Sequence, residues 1–368
     1  MKRAPLVTVL SLAAVVLVLP ALPAGAATGH SQASGIAVRR VLADSGFPGA
    51  FTFAPDGTLY YANRFSGQVR VMQNGSTHLV YRVTNLSTDG EQGLLGLAID
   101  PGWPTSPYRY AYATRNDGGL KNEILKIHVT GSTGDSASVI WTSQTTAGQY
   151  HDGGHITFGP DGRLYAQVGE AHDSANAQDL STDAGKILRM NTDGSAPGTN
   201  RLGGRIYVRG MRNGYGFTFD PVSGRLWETE NGPECNDEIN QFQNGNNGGW
   251  GPNETCSGSA PGNTNNSGPL PRRFPQRWFT PTIAPTGIVF CAFDCGLPGQ
   301  HLDNAFFGSW NDHRIRELRF SSDRRKILPG WPQVVVTRPA GILSMERNPL
   351  NDHLYFSDPN GIYQLVAA

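Results

Sequence analysis

The chain has 368 residues with 30 basic and 30 acidic side chains, and this even balance without a basic run excludes the clustered Lys and Arg on which nucleic-acid binding and polybasic membrane docking rest. With 46 Gly and 25 Pro it turns too often for long helices, while 7 Trp, 12 Tyr and 16 Phe are too many for a disordered chain. Its length admits one large domain or two ordinary ones.

Residues 1–26 read as a secretory signal peptide, with a basic start (Lys2, Arg3), an apolar run from Leu6 to Leu22 and an Ala24-Gly25-Ala26 exit. The segment holds no Cys for lipid attachment, and no later apolar stretch is long enough to cross a bilayer. Residues 27–368 are therefore expected to be secreted, extracellular or periplasmic, without a membrane anchor.

A strand–turn–strand unit then recurs along the chain. It is clearest at Phe53-Ala-Pro-Asp-Gly-Thr-Leu-Tyr60, Phe158-Gly-Pro-Asp-Gly-Arg-Leu-Tyr165 and Phe219-Asp-Pro-Val-Ser-Gly-Arg-Leu-Trp227. Looser copies begin at Leu97 and Ile288, and a sixth is Met345-Glu-Arg-Asn-Pro-Leu-Asn-Asp-His-Leu-Tyr355. Asp-Gly and Asn-Asp between alternating apolar runs signal hairpins, because these residues tolerate the positive φ of tight turns. Third strands with the right alternation follow at Gln68–Met72, Glu123–Ile127, Lys186–Met190 and Arg314–Leu318. Six such sheets arranged radially make an all-β, six-bladed β-propeller formed by residues 27–368 as a single domain. Uneven spacing between copies predicts loop insertions, the largest at 243–272, which is rich in Gly, Asn, Ser and Pro.

Four cysteines, Cys235, Cys256, Cys291 and Cys295, would enter an oxidising compartment as an even set. Three pairings are possible, and proximity favours Cys235 with Cys256 and Cys291 with Cys295. The rival is a four-thiolate zinc site, against which stands the lack of any C-x-x-C pair.

Polar residues that folding does not require collect at four strand-to-loop junctions: Gly90–Pro101, His151–Phe158, Arg209–Phe217 and Glu230–Asn240. His151 and His155, an even number of positions apart, would share one face of an extended strand and could form a metal pair. Together the His-x-Gly-Gly segment, Ala177–Ser181 with Gly185–Arg189, the Arg212-Asn213 pair, and Asn231-Gly-Pro with Asp237–Asn240 resemble the glucose/sorbosone dehydrogenase family of soluble quinoproteins. That resemblance implies the cofactors pyrroloquinoline quinone (PQQ) and Ca2+, a sugar substrate and an external electron acceptor. It implies that His151 is the general base, a role suited to an imidazole near neutrality, and that Arg212 and Asn213 lie against the quinone, where a guanidinium would stabilise developing negative charge. By the same resemblance Gly232 and Pro233 hold calcium through their carbonyls, while Asp237 and Glu238 order that loop, bind a second calcium or form a solvated turn.

Three positions depart from the family pattern. Glu91 stands where the glucose branch has Gln, Asn311 where a Lys grips a quinone carboxylate, and Arg338-Pro-Ala340 keeps only the first of two Arg. Arg314 or Arg316 could compensate. Trp250, with the 243–272 loop, is expected to shape the mouth or to anchor the loop. The chain thus reads as a PQQ-dependent sugar dehydrogenase, with a quinone-less binding propeller and a calcium-dependent lactonase as alternatives.

Overall fold

Each alternating segment finds its first partner through a tight turn and its second through the neighbouring sheet. The computed structural model describes residues 35–251, 256 and 269–368; the signal peptide and much of the 243–272 loop lie outside them. Within the described residues six sheets form a β-propeller. Blade 1 comprises Pro48–Phe53, Leu59–Asn63, Gln68–Gln73 and Ser76–Arg82, in that order from the axis outward. Blades 2 to 5 repeat the plan, with innermost strands Leu94–Ile99, Ile156–Phe158, Asn213–Phe219 and Pro285–Phe290. Blade 6 is composite. Its inner three strands, Met345–Arg347, Leu354–Asp358 and Gly361–Ala367, come from the C-terminus, and Ile36–Ala43 adds the outer strand by antiparallel pairing with Gly361–Ala367.

All six copies of the repeat are the innermost hairpins. The two Pro-Asp-Gly turns share one chemistry: Gly57 and Gly162 take positive φ, and Asp56 and Asp161 accept the N–H groups of Thr58 and Arg163. The four third strands stand where alternation places them, with Lys186–Met190 and Arg314–Leu318 matching residue for residue. The insertion is also explained. Blade 4 leaves its third strand, Asp237–Phe242, passes through Asn246–Asn247, which pairs in parallel with Ile206–Arg209 of blade 3, and returns as Arg277–Phe279.

The core is divided rather than central. Six apolar clusters among the described residues each fill one gap between adjacent blades, such as Phe51, Phe53 and Tyr61 of blade 1 against Tyr355 and Ile362 of blade 6. Second strands, among them Leu59–Asn63 and Leu164–Val168, are accordingly buried along their whole length, since both faces meet a neighbour. Both cysteine pairs form disulfides, Cys235 with Cys256 and Cys291 with Cys295, so no thiolate is left for zinc.

Between blades 4 and 5 a buried ion pair adds to the apolar contact. Arg324 donates from Nε and a terminal nitrogen to the two oxygens of Asp220, both at 2.9 Å, and its guanidinium lies 4.7 Å from the Phe320 ring centroid. Arg324→Ala would strand a buried carboxylate, and we expect a loss of about 3–5 kcal/mol in denaturant unfolding. A loss below about 1 kcal/mol would show that the pair does not hold the blades.

Candidate active site

The innermost strands begin at one end of the axis, and the segments entering them from all six blades enclose a cavity of 390 Å3. His151, Glu91, Arg212, Asn213, Gly232, Pro233 and Asn311 all line it. Seven of the eight site positions read from sequence are thus brought together by a fold that separates them by up to 220 residues in the chain.

His151 owes its position to backbone that only this local sequence permits. It sits at φ 64°, followed by Gly153 and Gly154 at 71° and 115°, and a Cβ on Gly154 would lie 2.3 Å from Leu95. A non-glycine residue at positive φ is strained, and three contacts hold it. The His151 N–H donates to Glu91 at 2.8 Å, its carbonyl accepts Ala171 N–H at 3.2 Å, and its Nδ1 lies 2.8 Å from Glu170. A carboxylate partner makes Nδ1 the protonated nitrogen, so Nε2 carries the lone pair that a general base needs. The kink also undoes the paired-histidine expectation. His155, half-buried, packs edge-on against Phe217, 4.8 Å between centroids, where loss of water around the ring pushes its pKa down to about 4, and no group of three metal-binding side chains is assembled among the described residues.

Glu91 ties three blades. It accepts the His151 N–H and the Asn213 side-chain amide at 3.1 Å, so its charge is met by fixed donors. Arg212 donates to the carbonyls of Asn231 and Gly232 at 2.9 and 3.0 Å, with its guanidinium 5.3 Å from the centroid of Trp250. Trp250 is buried, and its carbonyl accepts from Gln178, so it anchors the loop beneath Arg212 and does not form the mouth. Asp237 shapes the Gly232-Pro233 turn by accepting N–H groups from Gly232, Ile283 and Ala284 at 2.6–2.8 Å; burial pushes its pKa up to about 6 against the pull of these donors.

This donor set fits a hard cation and an acidic cofactor. The backbone of the Gly232-Pro233 turn lines the cavity, and the side-chain oxygens of Asn231 and Asn213 are buried with no hydrogen-bond partner; carbonyl and amide oxygens are ligands of the kind calcium takes. Two guanidiniums, Arg64 and Arg212, face the cavity.

Other expectations are corrected. Arg338 does not line the cavity: it is buried against Asp358 at 3.1 Å and stacks over Tyr363. Arg316 is taken up by Asp312 and Ser309, and Arg314 faces Asp312 at 3.8 Å, so neither replaces the missing Lys at Asn311. Three residues escaped sequence reasoning. Glu170, Arg64 and Trp310 belong to no local motif, and only Glu170's place after a buried second strand offered a signal.

Beneath Arg212, whose N–H donates to Glu230, three carboxyl groups share one buried face. Glu230 pairs across the strands with Glu238, and Glu228 with Asn240. The Asn240 side-chain nitrogen lies 3.1, 3.4 and 3.2 Å from Glu228, Glu230 and Glu238, yet an amide carries two hydrogens. Burial, with mutual repulsion added, raises Glu228 and Glu238 well above the carboxylate range, and burial brings Glu230 to about 8. Such groups bind more protons folded than unfolded, so their contribution to stability falls as pH rises from about 4.5 towards 8. We expect Glu228→Gln to flatten that decline by up to about 1.4 kcal/mol per pH unit, raising the melting temperature at pH 8 with little change at pH 5. Equal shifts at both pH values would count against shared protons.

Relatives share this architecture. The Glucose / Sorbosone dehydrogenase profile matches residues 46–337. Quinoprotein glucose dehydrogenase B of Acinetobacter calcoaceticus is 29% identical over 245 residues, 57% of this chain and about half, 51%, of that protein. The crystal structure of an oxidoreductase (glucose dehydrogenase) from Thermus thermophilus superposes with a TM-score of 0.77 at 27% identity, covering 90% of this chain and 100% of that one. A PQQ-bound aldose sugar dehydrogenase from Streptomyces coelicolor, at 24% identity, shares the fold with a TM-score of 0.75 over 92% of this chain and 99% of its own. With its six blades, its cavity and a family match over most of its length, the chain belongs to the glucose/sorbosone dehydrogenase family.

Proposed function

We propose that the protein is a secreted PQQ- and calcium-dependent dehydrogenase that oxidises a hydroxyl of an aldose-type sugar and passes the electrons to an external acceptor. The observation that carries this reading is the Glu170–His151 pair, set in a cavity that also presents Arg212 and the Gly232-Pro233 turn. PQQ, when bound, supplies a carbonyl that accepts hydride, and calcium a Lewis acid that polarises it.

The chain's own residues do the rest. His151 takes the sugar hydroxyl proton at Nε2, and Glu170, bonded to Nδ1, stabilises the imidazolium that results. Arg212 sets positive charge where negative charge develops. Arg64 and Arg212 attract the cofactor's carboxylates, and the carbonyls of Gly232 and Pro233 with the Asn231 side chain would hold calcium. The resemblance to quinoprotein glucose dehydrogenase B supports the cofactor, and two disulfides suit an oxidising compartment. No helix among the described residues is long and apolar enough to cross a membrane. A quinone-less binding propeller is the second reading, favoured by Asn311 and by the distance of Arg338 from the cavity.

His151→Gln is expected to lower kcat by about 10²–10⁴ with PQQ affinity nearly intact. Glu170→Gln should do the same to a lesser degree, since Glu170 touches His151 and does not line the cavity. Wild-type turnover by His151→Gln would overturn the assignment. Asn311 lies exposed at the rim, and Asn311→Lys should tighten PQQ about tenfold or more through a charge-assisted contact, an effect that shrinks in high salt. Titration of both proteins with PQQ and calcium decides between the readings: no quinone binding by either favours the binding propeller.

A further inference from the structure

The cavity rim carries more aromatic surface than one sugar ring covers. Phe47 and Trp310 line the cavity, and Phe65, which does not, continues their surface outward. The ring centroids are 6.3 Å apart for Phe47 and Trp310 and 5.0 Å for Phe47 and Phe65. Phe65 is 49% and Trp310 41% exposed, and contiguous exposed rings beside a pocket mark a ligand surface.

The wall is built, not incidental. Phe47 stands at φ 61° just before the first strand of blade 1, and its carbonyl accepts the Arg64 N–H at 3.0 Å. The Arg64 guanidinium lies 5.4 Å from the Phe47 centroid and 4.8 Å from that of Phe65, and it is pinned from behind by the carbonyls of Gly90 and Gln92. The backbone N–H of Trp310 donates to the Ala284 carbonyl at 2.8 Å, and its indole rests on Gly341, where a Cβ would come within 2.4 Å. Strain at Phe47 and the glycine beneath Trp310 are constraints that folding alone does not demand.

A cavity of 390 Å3 is at the small end of ligand sites. With a cofactor and the ring being oxidised inside it, any further ring must lie outside. The wall starts in the cavity lining with Phe47 and Trp310 and runs on to Phe65, whose ring centroid is 5.0 Å from that of Phe47. Aromatic faces suit the apolar C–H face of a sugar.

We propose that Trp310, Phe47 and Phe65 form a stacking subsite for a second sugar ring, so that the preferred substrate is the reducing end of an oligosaccharide and not a free monosaccharide. This rests on the reading of the cavity as a sugar-oxidation site.

The test compares glucose with cellobiose and maltose on protein loaded with PQQ and calcium. A disaccharide should show kcat/KM about five- to tenfold above glucose, mainly through a lower KM. Phe65→Ala should remove most of that advantage, losing several-fold more on the disaccharide than on glucose, and Phe65→Trp should keep it. Equal losses on both sugars, or no disaccharide preference in the wild type, would overturn the subsite. Tryptophan-fluorescence titration with the same sugars needs no turnover, with Trp310→Phe identifying the reporting ring. If no sugar is oxidised yet disaccharide binds more tightly than glucose in wild type and not in Phe65→Ala, the dehydrogenase reading fails and the subsite stands; equal binding of both sugars removes the subsite.

Discussion

Closure of the ring by one antiparallel pairing, Ile36–Ala43 with Gly361–Ala367, is the constraint on which the remainder of the structure depends. A blade is apolar on both faces and cannot bury either one alone. Only a closed ring gives every blade two neighbours, and the six separate apolar clusters record this. Because the closing strand comes from the opposite end of the chain, the two ends hold each other and the innermost strands converge on one axis. The cavity is a consequence of that convergence: short polar segments entering six strands meet where no apolar packing fills the space.

Within the cavity, charge is managed by fixed donors in preference to bulk water. Glu91 is met by a backbone N–H from blade 3 and an amide from blade 4, so its carboxylate stands in the cavity wall with its partners fixed. Arg212 is held by carbonyls, by Glu230 through its N–H and by Trp250 under its plane. The three stacked carboxyl groups below it form a buried polar layer that two amides, Asn240 and Gln167, satisfy only in part. The arrangement sets the backbone of Arg212 rigidly at a cost in stability that grows with pH.

The rim follows a different logic. His151, Glu91 and Arg212 in the cavity are each held by fixed partners, whereas the rings of Phe65 and Trp310 at its edge are open to water. Phe47 belongs to both regions: it lines the cavity at positive φ, and its ring packs against the exposed Phe65 and Trp310.

Alternation and turn chemistry in the sequence determined the strand–turn–strand unit, its six copies and the radial fold, because hairpin hydrogen bonding is local and Asp-Gly or Asn-Asp must sit where φ turns positive. The polar junctions were legible for the same reason, each being attached to a repeat, while the roles of their residues came from the family resemblance. Tertiary structure alone decided which of them meet. Arg338 and Arg316 are too long and too flexible for sequence position to say where their guanidiniums go, and Asp358 and Asp312 take them. The Gly153-Gly154 kink turns His155 against Phe217 although its spacing from His151 is even, since period-two reasoning holds only while the backbone stays extended. Arg64 and the aromatic rim were unreadable because their partners lie on other blades, and a contact made between blades leaves no mark in the spacing of residues along the chain; Glu170 meets His151 across its own hairpin, where only its place after a buried strand hinted at it.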